Sequence, residues 1–163
     1  MSALLLENDL RQAIELEKVR KIARVRTLTV LPRLDGKRKA SVLQILSKSD
    51  LIDIDTYHNV IDLAGADFSR AELSRAQLSK VDLSRANLTG ASMVKTNLVE
   101  AKLCSTVLIE ANMTGAWLIR ADLRGVDLSR ANLSEAIGIS NEELEKEAQS
   151  LQGAIMPDGT KHA

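Results

Sequence analysis

The amino-acid sequence predicts a mainly β solenoid of about four coils, with α-helices before it and a short helix after it. Three observations support this fold class. A large apolar residue recurs at every fifth position from Leu63 to Leu133, and a small residue usually lies two positions earlier. The flanking segments are rich in helix-forming residues and lack this period. Because a helix face repeats every 3.6 residues and a strand face every 2, a sustained period of five indicates another architecture.

The repeat has two apolar columns and the motif A-(D/N)-L-x-x. The small column is alanine at most positions, and the residue between the two columns is usually Asp or Asn. The exceptions in the small column are Ile61, Val81, Thr96, Thr106 and Val126. The large column consists of Leu63, Phe68, Leu73, Leu78, Leu83, Leu88, Met93, Leu98, Leu103, Leu108, Met113, Leu118, Leu123, Leu128 and Leu133.

Each five-residue unit fits one side of a square coil. Two inward residues separated by one outward residue form a minimal strand, and the remaining two residues turn the corner. Four sides make a coil of twenty residues, and successive coils stack at the inter-strand spacing of about 4.8 Å with backbone hydrogen bonds between them. Leu63 then lies under Leu83, Leu103 and Leu123, and the other column stays small because it fills the space between these ladders. The predicted solenoid domain is 51–139.

The repeated A-(D/N)-L-x-x motif resembles the pentapeptide-repeat family, whose members form a right-handed quadrilateral β-helix. The resemblance covers Ile61 to about Ala136, close to half of the chain. The preceding stretch RVRTLTVLPRLDGKRKASVLQILSKSDLI is similar to the leader of many cyanobacterial pentapeptide-repeat proteins. The resemblance therefore implies a right-handed β-helix and suggests a cyanobacterial setting.

Residues 1–50 are predicted to form a helical extension that caps the solenoid. LLLENDLRQAIELEKVRKIARVRTLTVL contains no Gly or Pro and many helix formers, which predicts a long helix. The end of this helix is left open, because RTLTVL is rich in residues that favour strands. The apolar positions of the helix include Leu6, Leu10, Ala13, Leu16, Val19 and Ile22.

A second N-terminal helix follows the break at PRLDGKR. KRKASVLQILSKSD predicts this helix, with Asp35 as its N-cap. Its spacing places Val42, Ile45 and Leu46 inward.

Residues 140–163 are predicted to form a short helix and a turn at the other end of the solenoid. Ser140 followed by Glu143 matches a capping box, and MPDG predicts a turn. The open edges of a solenoid need polar caps, which both terminal segments can supply. The apolar positions of the C-terminal helix are Leu144, Ala148 and Leu151.

Composition limits the classes of function and the compartment. Over 163 residues, 22 basic residues balance 22 acidic ones, so no net charge draws the chain toward nucleic acid or a membrane. Aromatic residues make up only 2%, which argues against a surface for base stacking. One cysteine, no secretion signal and no run of about 18 apolar residues predict a cytoplasmic protein.

No cluster in the sequence predicts catalysis, a metal site or a cofactor. His58 and His162 stand alone, without the Cys, His or acid spacing of a metal site. No glycine-rich phosphate loop is present. Cys104 and the repeated serines share an outward position, with no predicted activating neighbour. We therefore expect a non-enzymatic protein that needs no cofactor.

Apolar residues at outward positions of the middle coils predict an interface. Val99 and Ile119 share a position on the fourth side of adjacent coils, with Trp117 beside them. Val107 and Ile109 share the second side. Exposed apolar patches commonly mark interfaces, and tryptophan is enriched in hot spots. The expected occupant is an unidentified protein partner or a second copy, unless a terminal helix folds over the patch.

Two alternative functions stay open. Some pentapeptide-repeat proteins resemble a DNA duplex in size and negative charge and bind type II topoisomerases, but residues 61–140 here contain nine acids and nine bases. Lys80, Glu100 and Arg120 would also alternate in sign along one column. The second alternative is a membrane-peripheral adaptor that uses a basic run in the N-terminal helix. That run consists of Arg20, Lys21, Arg24 and Arg26.

Overall fold

A computed structural model describes residues 3–49, 52 and 62–163, with side chains from residue 15 onward. Helix α1 spans Ala3–Val30 and is followed by a 3-10 turn, Leu31–Arg33. Helix α2 spans Gly36–Lys48, and a short helix α3 spans Asn141–Glu147. Most of the remaining described chain forms the β-helix.

The β-helix is held together by parallel bridges between residues twenty positions apart. The ladder Asp67, Asn87, Val107, Asp127 is one example, and each five-residue side contributes one bridge of this kind. We number the sides from the first described coil, with side one at 62–65, side two at 66–70, side three at 71–75 and side four at 76–80. Each side recurs every twenty residues, so residues ten apart lie on opposite sides.

The two apolar columns form the core of the β-helix. Leu103 and Ala101 are both fully buried, as are most other members of their columns. Two threonines replace alanine in the small column without leaving a buried hydroxyl unpaired. Thr96 Oγ1 donates to the Leu73 carbonyl at 2.7 Å, and Thr106 Oγ1 donates to the Leu83 carbonyl at 2.9 Å. The predicted inward register is therefore observed.

Hydrogen bonds at the corners of the coil explain why Asp or Asn usually lies between the small and the large apolar column. Asp67 Oδ1 accepts a hydrogen bond from the Ser69 amide at 2.9 Å, and Asn87 Oδ1 accepts one from the Thr89 amide at 3.0 Å. These Asx contacts satisfy an amide that turns away from the ladder. The last residue of each unit then takes a positive φ, as at Arg75 with φ of 62°.

Helix α2 lies across the lower edge of the first coil. Asp35 caps it as predicted, accepting from the Arg38 amide at 2.8 Å. The Glu72 amide on side three donates to the Gly36 carbonyl at 3.1 Å. On sides two and four, Lys39 and Ser47 donate to main-chain carbonyls of the first coil. The helix therefore pairs with an edge that would otherwise be open.

The inward face of α2 differs in part from the prediction. Leu46 is buried and Val42 is half-buried, but Ile45 is 62% exposed, so its inward assignment was wrong. The buried face instead runs through Ala40 and Leu43. Ile45 lies about 200° around the helix from Leu43, because each residue turns by about 100°.

Helix α1 includes all of RTLTVL except Leu31 and ends at Val30, although that stretch is rich in strand-forming residues. Its predicted apolar positions within the described side chains, Leu16, Val19 and Ile22, are all exposed. Ala23 and Leu28 instead pack against the core. Strand propensity is a weak prior, and the helix ends only at the 3-10 turn that contains Pro32.

The C-terminal segment returns to the solenoid after a helix that ends earlier than the predicted Leu151, whereas the turn predicted at MPDG is present, with the Gly159 amide donating to the Met156 carbonyl at 2.9 Å. The predicted capping box is present, but α3 ends at Glu147. Ser150 then bridges to Asp127, and the 23 positions between them replace the usual twenty because the helix adds three residues. Three residues of this added rung are buried in the core: Leu151, Ala154 and Met156.

Candidate functional site: an apolar strip on side four

Side four presents three exposed apolar side chains in adjacent coils. Trp117 is 46% exposed and lies in the ladder between Asn97 below and Ile137 above. Ile137 is 51% exposed, and Ile119 on the same side is 42% exposed. We call Trp117, Ile119 and Ile137 the side-four strip. Ile137 was not among the predicted interface residues, although its position twenty residues after Trp117 could have indicated it.

The other predicted interface residues lie in two places. Val99 is half-buried on side four, one coil below Ile119, and so borders the strip. Val107 and Ile109 are half-buried on side two. Since Val107 and Trp117 are ten positions apart, they lie on opposite sides of the coil. The five predicted residues therefore do not form one surface.

No described residue covers Trp117. Its amide and carbonyl are used in the ladder, with the amide donating to the Thr96 carbonyl at 3.0 Å. Within residues 62–163, α3 covers the upper end of side one rather than side four, because the Gly125 amide donates to the Glu147 carbonyl. Nearly half of the surface of Trp117 therefore stays in contact with solvent.

Charged side chains beside the strip and on the opposite side of the solenoid form ion pairs between coils. Arg120 Nη1 lies 3.3 Å from Glu100 Oε1, at the corner that ends side four. Arg130 Nη1 lies 3.3 Å from Glu110 Oε1 on side two. The alternation of sign predicted for the column of Glu100 and Arg120 is observed. Positive and negative groups are therefore mixed over the surface.

Cys104 carries a free thiol that lies beside two charged side chains, Asp122 and Arg124. Arg124 Nη2 lies 3.8 Å from Cys104 Sγ and 2.6 Å from Asp122 Oδ2. Burial raises the pKa of the thiol, and Asp122 raises it further, while Arg124 partly opposes both. Hydrogen bonding from Arg124 holds the pKa of Asp122 well below its usual range, despite burial. The thiol is therefore kept protonated, which disfavours nucleophilic chemistry.

The described residues contain no group of three or more His, Cys, Asp or Glu side chains able to hold a metal ion. His58 lies outside the described residues. His162 takes part in a main-chain pairing, its amide donating to the Ala154 carbonyl at 2.8 Å. A cleft of about 620 Å³ between α2 and the first two coils contains Lys39, but that lysine is already bonded to Ser69 and Asp67.

The basic run of α1 is partly used to hold the helix on the solenoid. Arg24 Nε donates to Asp62 Oδ2 at 2.9 Å, and Arg24 Nη2 donates to the Ala64 carbonyl at 3.0 Å. Lys21 and Arg26 are exposed. Across the described part of the chain, helix length and hydropathy together yield no candidate for a membrane span.

Three solved structures are similar to parts of the chain. Rfr23, a pentapeptide-repeat protein from the cyanobacterium Cyanothece 51142, is 42% identical over 50% of this chain and 55% of its own, with a TM-score of 0.44. HetL from Nostoc sp. strain PCC 7120, involved in heterocyst differentiation regulation, is 32% identical over 63% of this chain and 56% of its own, with a TM-score of 0.37.

A pentapeptide-repeat protein from the thylakoid lumen of Arabidopsis thaliana is 31% identical over 58% of this chain and 60% of its own, with a TM-score of 0.24. The chain thus spans between 55% and 60% of the length of these structures. None of the curated proteins matches the chain significantly.

The sequence model of pentapeptide repeats matches the segment that the ladder of bridges occupies. Eight copies are matched, in the stretches 61–85, 82–116 and 107–137. These limits agree with the predicted array, and the bridges show the twenty-residue coil that four such units build. The repeat array of this chain belongs to the pentapeptide-repeat family.

Proposed function

We propose that the chain is a non-enzymatic interaction module whose side-four strip docks against another protein. The distribution of exposed apolar side chains carries this proposal. Among residues 62–163, every exposed large hydrophobic side chain belongs to the strip. A tryptophan at the centre and an ion pair at the border match the core-and-rim arrangement of protein interfaces. The single cysteine favours a reducing compartment such as the cytoplasm, and the resemblance to pentapeptide-repeat proteins suggests a cyanobacterial setting.

DNA mimicry receives less support from the structure. A mimic needs a continuous negative surface, because the phosphate backbone dominates what a DNA-binding protein recognises. Here Glu100 and Glu110 are each paired with an arginine one coil above. Lys102 Nζ also lies 3.8 Å from Asp82 Oδ2. These pairs neutralise the acids that a mimic would display.

A membrane-peripheral role for α1 is also less well supported. A membrane-surface helix needs one apolar face opposite a basic one. The exposed apolar side chains Leu16, Val19, Ile22 and Val25 follow each other in steps of three residues. Each step of three residues turns by about 300°, which is the same as about 60° in the other direction. From the first side chain to the last, they therefore cover about half of the circumference of the helix. Arg26 lies in the middle of that half, so these side chains do not form a continuous apolar face.

Affinity capture with matched variants tests the proposal. Trp117→Asp places a charge in the strip, and Ile109→Asp makes a similar change on the opposite side. We expect a partner from the native cell extract to be retained by the wild type and by Ile109→Asp, and to be lost by Trp117→Asp. Circular dichroism should show both variants folded. Retention of the same proteins by all three forms would contradict the proposal.

The fluorescence of the single tryptophan separates another protein from a second copy. If the strip awaits another protein, emission from Trp117 should be red-shifted and quenchable by iodide at every concentration. A blue shift that grows with concentration, and that Ile119→Asp abolishes, would assign the strip to a second copy instead.

A further inference from the structure

The fifth coil is incomplete on side four. Within 62–163, α3 covers side one, residues 148–152 continue side two, and residues 153–157 continue side three. The chain then reverses, and Lys161 forms an antiparallel bridge with Ile155. No described residue forms a fifth rung on side four. We call the gap above residues 136–138 the side-four slot.

Two backbone groups at the slot lack the partners that their equivalents have in lower coils. One coil down, the Ile137 amide donates to the Ala116 carbonyl at 2.9 Å, and the Leu118 amide donates to the Ile137 carbonyl at 2.7 Å. The equivalent groups at the slot are the Ala136 carbonyl and the Gly138 amide. Neither has a hydrogen-bond partner among the described residues. They occupy the register positions at which the next rung of the side-four ladder would pair.

The side chains around the slot are apolar and accessible. Ile137, between the two unpaired groups, is 51% exposed. Ala136 is only partly buried, whereas Ala116 one coil below is fully buried. Exposed strand edges pair readily with an extended chain, which gains main-chain hydrogen bonds and side-chain contacts together.

We propose that the side-four slot binds an extended segment of the partner protein, which pairs in parallel with residues 136–138 as the missing side of the fifth coil. This inference rests on the proposed function, whose surface it extends upward past Ile137. The unpaired amide and carbonyl specify a peptide backbone as the occupant. The neighbouring Ile137 specifies an apolar residue at the outward position of that peptide. Proline is excluded there, because its nitrogen carries no proton for the Ala136 carbonyl.

A synthetic strand tests the slot without changing the protein. The probe is the fluorescein-labelled decapeptide MVKTILVEAK, which copies residues 93–102 with Asn97→Ile. It contains no tryptophan, so Trp117 reports from the protein alone. In the ladder register, the amide of the probe's fifth residue donates to the Ala136 carbonyl, and the amide of its sixth residue points away from the protein.

N-methylation of the probe distinguishes these two amides. We expect methylation at the fifth residue to weaken binding about tenfold or more, measured by fluorescence anisotropy, and methylation at the sixth to change it by less than about threefold. Hydrogen exchange of the Gly138 amide should slow at least about tenfold when the unmodified probe is bound.

Several results would contradict the proposal that the side-four slot binds an extended peptide. These are equal binding of the two methylated probes, no binding of the unmodified probe, or no protection of the Gly138 amide in its presence. Protection of that amide in a concentration-dependent dimer would assign the slot to a second copy. If the slot fails while Trp117→Asp still loses a captured partner, the proposed function stands and only the mode of docking is wrong.

Discussion

Lys39 Nζ lies 3.4 Å from Asp67 Oδ2, and this contact joins α2 to the first coil of the β-helix. The Lys39 side chain is only 4% exposed, and it also donates to the carbonyl and hydroxyl oxygens of Ser69. Burial alone raises the pKa of Asp67, but hydrogen bonds from Ser69 and the charge of Lys39 outweigh burial and lower that pKa. A buried lysine therefore fixes the helix to the edge that it covers.

Removing the Lys39 ammonium should destabilise the fold. We expect Lys39→Met to lower the free energy of unfolding by about 1–3 kcal/mol, because the Ser69 carbonyl loses a donor and Asp67 loses its counter-ion. Lys37→Met removes an exposed lysine of the same helix and serves as the control. Urea unfolding followed by circular dichroism measures both. Equal effects of the two substitutions would show that the buried contact contributes nothing.

Asp67 also predicts a dependence of stability on pH. Its pKa in the folded chain is below the ordinary 3.8 that it recovers on unfolding. Such a carboxylate stabilises the fold above the unfolded pKa, and the contribution is lost as pH falls toward the folded pKa. The difference in unfolding free energy between wild type and Asp67→Asn should therefore be constant above about pH 5 and shrink below it. A difference that stays constant into acid would contradict the shift.

Substitutions in the two inward columns test the register of the solenoid. Leu103 and Ala101 are both fully buried in the third coil. Leu103→Ala should cost about 2–5 kcal/mol because it leaves a cavity, and Ala101→Leu about 1–3 kcal/mol because it overpacks the small column. Chemical unfolding measures both values. Leu103→Lys should prevent folding, and a stable Lys variant would place this column outside.

The solenoid could be predicted because its period belongs to neither a helix nor a strand. The large and small columns required one inward register, and Leu103 and Ala101 occupy it as expected. The capping residues Asp35 and Ser140 were also found, since capping depends on residues only three positions apart. Local chemistry of this kind can be read directly from the sequence.

The last rung was missed because α3 changes the phase of the repeat. Leu151 and Met156 are five positions apart and Ala154 lies two before Met156, so the motif is present there. The helix shifts it by three residues relative to Leu133, as the 23-residue bridge from Asp127 to Ser150 shows. A search that allowed a new phase after the helix could have detected this rung.

The candidate site was predicted only in part, for reasons of tertiary structure. Outward repeat positions identified Trp117 and Ile119, which are 46% and 42% exposed. Whether a helix covers them depends on where α1 and α3 dock, which five-residue periodicity does not encode. The missing fourth side of the fifth coil likewise follows from where the chain reverses, between Ile155 and Lys161.

The reactivity of Cys104 should report its charged neighbours. Burial and Asp122 raise the pKa of the thiol above its ordinary 9.0, while Arg124 acts in the opposite direction. Because the thiolate is the reacting form, alkylation by iodoacetamide near neutral pH should be slower than for a free cysteine. Asp122→Asn should lower the thiol pKa and speed the reaction, and Arg124→Ala should slow it.

A pH–rate profile measures this prediction in the intact chain. The midpoint of the profile should fall at lower pH for Asp122→Asn than for the wild type, and at higher pH for Arg124→Ala. Changes of the same sign in both variants would mean that altered exposure of the thiol, rather than charge, controls its reactivity.

Gly138 marks the point where the chain leaves side four for α3. Its φ is +87°, and a Cβ at this position would lie 2.4 Å from Ile119 Cγ1 and 2.7 Å from Ile119 Cα. Gly138→Ala should therefore cost about 2–4 kcal/mol, since it combines backbone strain with a clash against main-chain atoms that cannot move aside. Thermal unfolding measures the loss.

Gly159 provides a matched control for this prediction. Its φ is +85°, but a Cβ there would meet no atom within 4 Å, so Gly159→Ala carries the backbone strain alone. We expect it to cost about 1–2 kcal/mol. The excess cost at Gly138 then measures the close approach to Ile119, and hydrogen exchange should show it as faster opening of α3 amides. Equal costs at the two glycines would mean that the chain can shift away from Ile119 and that the path into α3 is not fixed by this contact.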